Sequence, residues 1–321
     1  MTTKSNIAWT NTTWSPVTGC TKVSDGCKHC YAEREVETRW SKNPKSIFFG
    51  RKFTDVQIHP EQLDKPLHWK KPQRIFVCPR ADLFHESVPD EFIDKVFAVM
   101  ALAPQHVFQV LTKRPGRMLE YMSKGVANRV GRAVTCTQGW YPSAVDRAHA
   151  MPLPNVWIGV SVENQATADE RIPLLLQTPA AVRWVSAEPL LGPINLMKNT
   201  TVLERLRVQK SLADGATIEF MRRHLEMLDW VIAGGESGPH ARPMHPDWAR
   251  TLRDQCQDAG VPFFFKQWGE WIPMMGCVGS IPVRADKITL GDGTIMGWAG
   301  TKRAGRRIDG VLHDEYPKAI T

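Results

Sequence analysis

The sequence predicts an α/β fold, a (β/α) barrel that is partial or complete, with a small C-terminal extension. Two observations predict it. Short apolar runs rich in β-branched and aromatic residues recur along the chain, and amphipathic helical patterns lie between several of them. Polar or charged residues follow each apolar run, as expected where the carboxyl ends of parallel strands form one ligand-binding face.

Six apolar runs are predicted as buried parallel strands because they are short and almost uninterrupted by polar residues. They are Ile75–Val77, Val107–Leu111, Val156–Val160, Val182–Val185, Trp230–Ala233 and Phe263–Phe265. Two helices are predicted from apolar stripes that follow a Pro-Asp pair. The stripes are Phe92, Val96 and Met100 after Pro89, and Trp248, Leu252 and Cys256 after Pro246.

The rhythm of strands and helices predicts the domain organisation. Residues 1–271 form the predicted barrel domain, with insertions or elaborated helices near 123–154 and 195–228, where no clear strand is found. Residues 272–321 form the predicted extension. It contains a hairpin around Gly291-Asp292-Gly293 and a basic tail.

Charge and composition limit the partners. The 321 residues carry a net charge of +8, and the pI is near 9.2, which favours contact with a polyanion such as nucleic acid. The cations are scattered, so a solvated basic surface remains the alternative. The seven cysteines, a polar start and the lack of an apolar run near the roughly 20 residues of a membrane helix predict a cytoplasmic protein with no membrane partner.

Three cysteines near the start predict a metal site. Cys20, Cys27 and Cys30 lie within eleven residues and contain a single Cys-x-x-Cys pair. A four-iron cluster with three thiolate ligands keeps one iron open for a small molecule, whereas a structural zinc site needs four closed ligands. The other cysteines, Cys78, Cys136, Cys256 and Cys277, are isolated. A zinc site that takes His29 or Cys78 as its fourth ligand remains open.

The polar residues after the predicted strands are the candidate site residues, since the ends of parallel strands meet on one face. They are Asp82, Lys113, Arg114, Ser161, Glu163, Glu188, Gly234, Gly235, Glu236 and Lys266. Lys266 would place a cation at the barrel mouth, where it could hold a phosphate or carboxylate. A lysine that only extends its ammonium from an apolar strand into water is the alternative.

The motifs around these residues resemble a known family. The quoted stretches are Gly26-Cys27, Cys30-Tyr31-Ala32-Glu33, Asp82-Leu83-Phe84-His85, Leu111-Thr112-Lys113-Arg114, Ser186-Ala187-Glu188-Pro189 and Gly234-Gly235-Glu236-Ser237-Gly238. With them the chain resembles, almost end to end, the uncharacterised phage-associated three-cysteine-motif family, which is related to radical S-adenosylmethionine (SAM) enzymes.

The resemblance implies a TIM-like radical SAM barrel with a [4Fe-4S] cluster on Cys20, Cys27 and Cys30. In such enzymes the open iron binds the amino and carboxylate groups of SAM, and an electron donor reduces the cluster. SAM is then cleaved to a 5′-deoxyadenosyl radical. The cysteine spacing of six then two residues lengthens the first loop of the commonest radical SAM pattern, in which three residues separate the first two cysteines.

The same resemblance suggests roles for individual residues. It places His29 near the adenine of SAM, or as a structural loop residue, and Asp82 near the ammonium. We expect Ser161 and Glu163 to contact the ribose or carboxylate. Contacts to adenine or substrate are expected from Gly234, Gly235 and Glu236, and a tight turn after a strand that needs these glycines without any ligand is the alternative.

The predicted function is a radical SAM-type enzyme that acts on a nucleic acid or nucleotide. Glu188 and Lys266 are the predicted catalytic residues. The predicted substrate contacts are Lys113, Arg114, Arg306 and His313, and for the last two a solvated tail is the alternative. The alternative is a non-catalytic zinc or iron-sulfur protein that binds nucleic acid, but six polar strand ends on one face favour a pocket and hence the enzyme.

Overall fold

The computed structural model describes residues 5–136, 142–196, 227–274 and 286–318. Its centre is a sheet of seven parallel strands in the order β1-β4-β5-β6-β7-β8-β9. The strands are β1 Thr12–Trp14, β4 Arg74–Val77, β5 Val107–Thr112, β6 Val156–Val162, β7 Val182–Ala187, β8 Trp230–Gly234 and β9 Phe263–Gln267.

All six predicted strands are present, as β4 to β9, and the sheet is an open half-barrel with β1 and β9 at its edges. The partial form of the predicted barrel is therefore the one observed among the described residues. The edge strand β9 is covered by the chain near its C-terminus, where Phe265 N donates to His313 O (2.9 Å) and Glu315 N donates to Phe263 O (3.3 Å). This pairing satisfies backbone groups that an exposed edge leaves open.

The described part of the chain contains eight α-helices, several of which pack against one face of the sheet. They are α1 Tyr31–Thr38, α2 Asp90–Leu102, α3 Pro115–Ser123, α4 Val126–Thr135, α5 Pro142–His149, α6 Gln165–Gln177, α7 Pro246–Asp258 and α8 Thr301–Ala304. The two predicted helices are confirmed as α2 and α7. Among the described residues, no helix is both long and apolar enough to span a membrane.

The two faces of the sheet have different cores because successive side chains of a strand point to opposite sides. In β8, Val231 and Ala233 join the core beneath the helices, whereas Trp230 and Ile232 join a second core on the opposite face. The second core consists mainly of aromatic rings, which are Trp9, Phe76, Trp157, Trp184, Trp230 and Phe264. These rings fill part of the concave side of the sheet.

Smaller elements surround the main sheet. The predicted insertion at 123–154 contains α4 and α5, whereas the one near 195–228 lies almost entirely outside the described residues. The predicted hairpin is confirmed as β11 Lys287–Thr289 and β12 Ile295–Trp298, joined by β10 Trp271–Pro273. The remaining pairs are β2 Val17–Thr18 with β3 Gln57–Ile58, and β13 Arg307–Ile308 with β14 Val311–Leu312.

Candidate metal and cofactor site

The three cysteines lie on one loop, residues 19–30, which connects β2 to α1 and contacts the carboxyl ends of the central strands. We call it the cysteine loop. Gly19 N donates to Arg80 O (3.3 Å), and Cys20 N donates to Phe53 O (3.0 Å). Gly19 has φ of 85°, and a Cβ there would overlap the Asp55 carbonyl, so this turn requires glycine.

Each cysteine sulfur has a hydrogen-bond donor nearby. Arg114 Nη1 lies 3.5 Å from Cys20 Sγ, and Ser24 Oγ lies 3.9 Å from Cys27 Sγ. The backbone N–H groups of Ala32 and Glu33, in the first turn of α1, point to Cys30 Sγ. Donors to sulfur tune the metal centres that thiolates hold, so the set suits a cluster.

Burial affects the cysteine thiols. It raises the pKa of Cys20 to about 11, with Asp82 adding to the shift and Arg114 opposing it. It also raises the pKa of Cys30, against the N–H groups at the start of α1. A positive centre is needed to hold these sulfurs as thiolates at neutral pH, and a bound metal cluster supplies one.

Of the remaining described cysteines, Cys78 has a pKa that burial raises, and it lies close enough to Asp82 and Cys20 for both to add to that shift. Cys78 and Cys256 are buried in the core under the helices, and burial raises the pKa of both thiols. Cys136 is exposed, and Cys277 lies outside the described residues. Within the ranges given above, no three His, Cys, Asp or Glu side chains are arranged to hold a metal ion.

Asp82, which follows β4, connects to the cysteine loop through Arg114. It accepts from Thr112 Oγ1 (2.7 Å) and Lys113 N (3.0 Å) and pairs with Arg114 Nη1 (3.3 Å). Arg114 also donates to Thr21 Oγ1 (2.8 Å) beside Cys20. The Arg114 side chain is 5% exposed and that of Asp82 is 6% exposed, so this buried ion pair anchors one end of the loop.

Glu163, at the end of β6, contacts the middle of the loop. It accepts from Ser24 Oγ (2.9 Å) and pairs with Lys113 Nζ (3.0 Å) and Arg171 Nη1 (3.3 Å). Burial alone would raise the pKa of this fully buried carboxyl, but Lys113 and Arg171 outweigh it and the net pKa is lowered. A Cβ on Gly26 would overlap the carboxylate, so the loop packs directly on Glu163.

Glu236, just after β8, holds the third part of the loop. Its carboxylate accepts from Arg242 Nη2 (2.6 Å) and lies 3.2 Å from His29 Nδ1, while Arg242 also donates to Asp25 O (3.0 Å). Asp82, Glu163 and Glu236 therefore each contact the cysteine loop, directly or through an arginine.

A second polar group lies at the ends of β7 to β9. Lys266 Nζ is 3.0 Å from Glu188 Oε1, and Ser186 Oγ donates to Glu188 Oε2 (3.0 Å). Ser161 is the register partner of Ser186 on the neighbouring strand. The Lys266 and Glu188 side chains are 26% and 13% exposed, more than any of the three carboxylates that contact the loop.

The two predicted glycines have reasons within the chain itself. A Cβ on Gly234 would lie 2.7 Å from Glu188 Oε1, and one on Gly235 would overlap the Trp268 carbonyl. Close packing against backbone thus requires Gly235, whether or not a ligand approaches it, whereas a Cβ on Gly234 would displace the Glu188 carboxylate.

Arg306 and His313 lie along β9. The Arg306 guanidinium carbon is 4.6 Å from the centre of the Phe264 ring, and His313 is buried against Phe263. In the described part of the chain, no hydrogen bond or ion pair joins either residue to the cysteine loop. Both residues instead contact Phe265, which precedes the candidate Lys266 on β9.

Three residues that hold the loop were not predicted from the sequence: Ser24, Arg171 and Arg242. Arg171 lies on α6, where an arginine looks like any exposed helical cation. Only the buried carboxylate of Glu163 gives it a role. Ser24 carried a signal, because it belongs to the cysteine motif itself.

Solved structures of spore photoproduct lyase resemble this fold weakly. A cysteine mutant of that protein gives a TM-score of 0.43 at 10% identity, covering 83% of this chain and 79% of that one. The complex with a dinucleoside spore photoproduct gives 0.40 at 9% identity, covering 95% and 72%. A mutant with bound AdoMet and the same dinucleoside gives 0.39 at 9%, covering 93% and 71%. At these values the similarity carries no argument about function.

No curated protein matches the sequence. A family model matches residues 4–317, which is nearly the whole chain, and its description is protein of unknown function (DUF5131). The matched range contains the cysteine loop and all three carboxylates that contact it. The chain therefore belongs to the DUF5131 family.

Proposed function

We propose that the chain is a radical SAM-type enzyme that holds a [4Fe-4S] cluster on Cys20, Cys27 and Cys30. The observation that carries the proposal is the cysteine loop, which contacts the carboxyl ends of an open parallel sheet and has a donor beside each sulfur. Parallel α/β sheets bind their ligands at that edge. A closed four-cysteine site would need a fourth thiol. Cys78 directly follows β4 at this edge, but its side chain is buried in the core under the helices.

The contacts favour different roles for the predicted SAM ligands. Asp82, Glu163 and Glu236 already accept hydrogen bonds from protein donors, which favours a positioning role for them. Ser161, Glu188 and Lys266 are better placed to meet a ligand, because they lie at the ends of β6, β7 and β9 and the last two are partly exposed. His29 and Lys113 would border the same space.

SAM supplies, when bound, the adenosyl group that reductive cleavage turns into a hydrogen-abstracting radical. This chain's residues would hold it and exclude water. Lys266 would present its ammonium to a carboxylate or phosphate, while Glu188 keeps that ammonium in position. The aromatic core on the concave face would close the bottom of the space.

A nucleic acid or nucleotide is the proposed substrate class. Its support is the net charge of +8 together with the resemblance described above. Arg114 is engaged with Asp82 and Glu86, which favours a role in the loop over contact with substrate. Arg306 and His313 lie beside β9, the strand that also carries Lys266, and they remain candidate contacts to a substrate held there.

Anaerobic reconstitution tests the cluster. We expect about four irons per chain, and an electron paramagnetic resonance spectrum of the reduced protein that changes when SAM is added, since one iron is open. One tightly bound zinc and no iron would show instead the non-catalytic zinc protein.

Cysteine variants test the ligands. Cys20→Ala, Cys27→Ala and Cys30→Ala should each lose the intact cluster. Cys256→Ala is the matched control, because Cys256 is fully buried in α7 and its loss affects only packing. If Cys78→Ala loses the iron as completely as Cys30→Ala, the site has four protein thiolates and the open-iron proposal is wrong.

A further inference from the structure

The loop after α1, residues 39–52, is a cationic surface to which the proposed reaction gives no role. We call it the 39–52 surface. It contains five cations and no carboxylate, namely Arg39, Lys42, Lys45, Arg51 and Lys52. Arg51 pairs with Asp55 (2.8 Å). Lys42, Lys45 and Lys52 are exposed and have no acidic partner among the described residues.

Apolar side chains share this surface. Ile47 and Phe49 are 39% and 52% exposed, on either side of the buried Phe48. Gly50 N donates to Ser41 O (2.9 Å), which closes the loop on itself and brings its exposed side chains onto one compact surface. An apolar centre with charged residues around it is typical of protein interfaces.

The same loop packs against the cysteines. Phe48 and Phe53 form a small core with Val36, and Cys20 and Cys30 pack against that core. The Phe53 carbonyl accepts from Cys20 N. A partner on the 39–52 surface would therefore be separated from the sulfurs of Cys20 and Cys30 by little more than one layer of side chains.

We propose that the 39–52 surface docks a small acidic electron-transfer protein. This inference rests on the proposed function, because reductive cleavage of SAM needs one electron from outside the chain. The partner carries a one-electron centre, a flavin or an iron-sulfur cluster, which is oxidised by one electron as the cluster on the cysteine loop gains it. No bond or proton changes within the chain. The unpaired lysines select an acidic partner, and the exposed Ile47 and Phe49 favour a protein over a nucleic acid.

A charge-reversal variant tests the surface. The variant is Lys42→Glu/Lys45→Glu/Lys52→Glu. It should keep the fold, because all three replaced lysines are exposed in the wild type. Its matched control is Lys70→Glu/Lys71→Glu/Lys95→Glu. That variant reverses as many exposed charges, and Lys70 and Lys71 precede β4 at the amino edge of the sheet. The probe is a purified acidic flavodoxin, and its binding to metal-free and to reconstituted protein is measured calorimetrically.

We expect the triple variant to weaken flavodoxin binding about 10-fold at low salt, with a smaller effect at high salt, and the control to bind like the wild type. Electron transfer from reduced flavodoxin should slow in parallel, whereas dithionite still reduces the cluster. Phe49→Ser should weaken binding at any salt concentration, because it removes apolar contact area.

Two results would overturn the docking proposal. The first is equal flavodoxin binding by the triple variant and its control. The second is a triple variant that still binds flavodoxin but no longer binds a single-stranded oligonucleotide, which would make the loop a nucleic-acid contact. Either result leaves the iron content and the SAM-dependent spectrum unchanged. A chain that holds zinc but still binds flavodoxin through this surface would instead contradict the proposed function.

Discussion

Replacement of Glu163 by Gln distinguishes two roles for Glu163: a residue that holds the cysteine loop and a residue that only binds SAM. The Glu163 side chain is fully buried and lies between Lys113 Nζ at 3.0 Å and Arg171 Nη1 at 3.3 Å. Glutamine keeps an acceptor for Ser24 but removes the negative charge. The change therefore leaves two cations, one of them only 2% exposed, without their counter-charge.

The expected cost follows from these contacts. Removing one partner of a buried ion pair typically costs 3–5 kcal/mol. Arg171 keeps its hydrogen bond to Ser161 O (2.8 Å), and Lys113, which is 19% exposed, can turn towards water. The lower end, about 3 kcal/mol of the free energy of unfolding, is therefore expected. Urea unfolding of the metal-free, SAM-free protein at pH 7 measures it.

The control is Glu170→Gln on the same helix. Glu170 is 66% exposed and lies 3.9 Å from Arg171 Nε, so its loss should change stability by no more than about 0.5 kcal/mol. If Glu163→Gln unfolds at the same urea concentration as the wild type and loses only SAM affinity, the positioning role is wrong and Glu163 is a ligand.

The pH dependence has a definite sign. The folded pKa of Glu163 is lowered, so its carboxylate stabilises the fold above the unfolded pKa of about 4.3. That contribution is lost as the pH falls through the folded pKa. The stability difference between the wild type and Glu163→Gln should therefore be full at pH 7 and shrink below about pH 4.3. A difference that grows in acid would contradict the assigned shift.

Three further predictions follow from the same contacts. Arg114→Gln should lower the reduction potential of the reconstituted cluster, because it removes a positive charge and a donor to Cys20 Sγ. The control Arg117→Gln should leave the potential unchanged, since Arg117 pairs with Asp90, and equal potentials for the two variants would exclude the tuning role. Gly235→Ala should lower the free energy of unfolding in urea by more than about 2 kcal/mol, since its Cβ would overlap the Trp268 carbonyl. The control Gly116→Ala in α3 should leave that free energy unchanged or raise it by up to about 1 kcal/mol, and similar values for both variants would show that the strand end can relax. Lys266→Met should leave the iron content unchanged and weaken SAM or substrate binding, measured by equilibrium dialysis; loss of the cluster instead would make Lys266 a structural residue.

The sequence by itself determined the architecture. Apolar runs such as Trp230–Ala233 must be buried, and a run buried on both faces is a strand of a covered parallel sheet. Apolar residues at helical spacing likewise predicted α2 and α7. The apolar pattern missed β1, Thr12–Trp14, because three residues with two threonines give no apolar run, and only pairing with β4 makes them a strand. The cysteine spacing predicted a metal-binding loop because three thiols within eleven residues can reach one metal centre without any information from the rest of the fold.

Only the tertiary structure decided what the polar strand ends do. In the sequence, Asp82, Glu163 and Glu236 cannot be told apart from Glu188, because all four are carboxylates that follow a strand. The first three contact the cysteine loop and pair with arginines, whereas Glu188 pairs with Lys266 on the concave side. A carboxylate's partners can come from segments far away in the chain, as Ser24 does for Glu163, which lies 139 residues later. Their distances depend on how the strands and helices pack, and no local pattern contains that information.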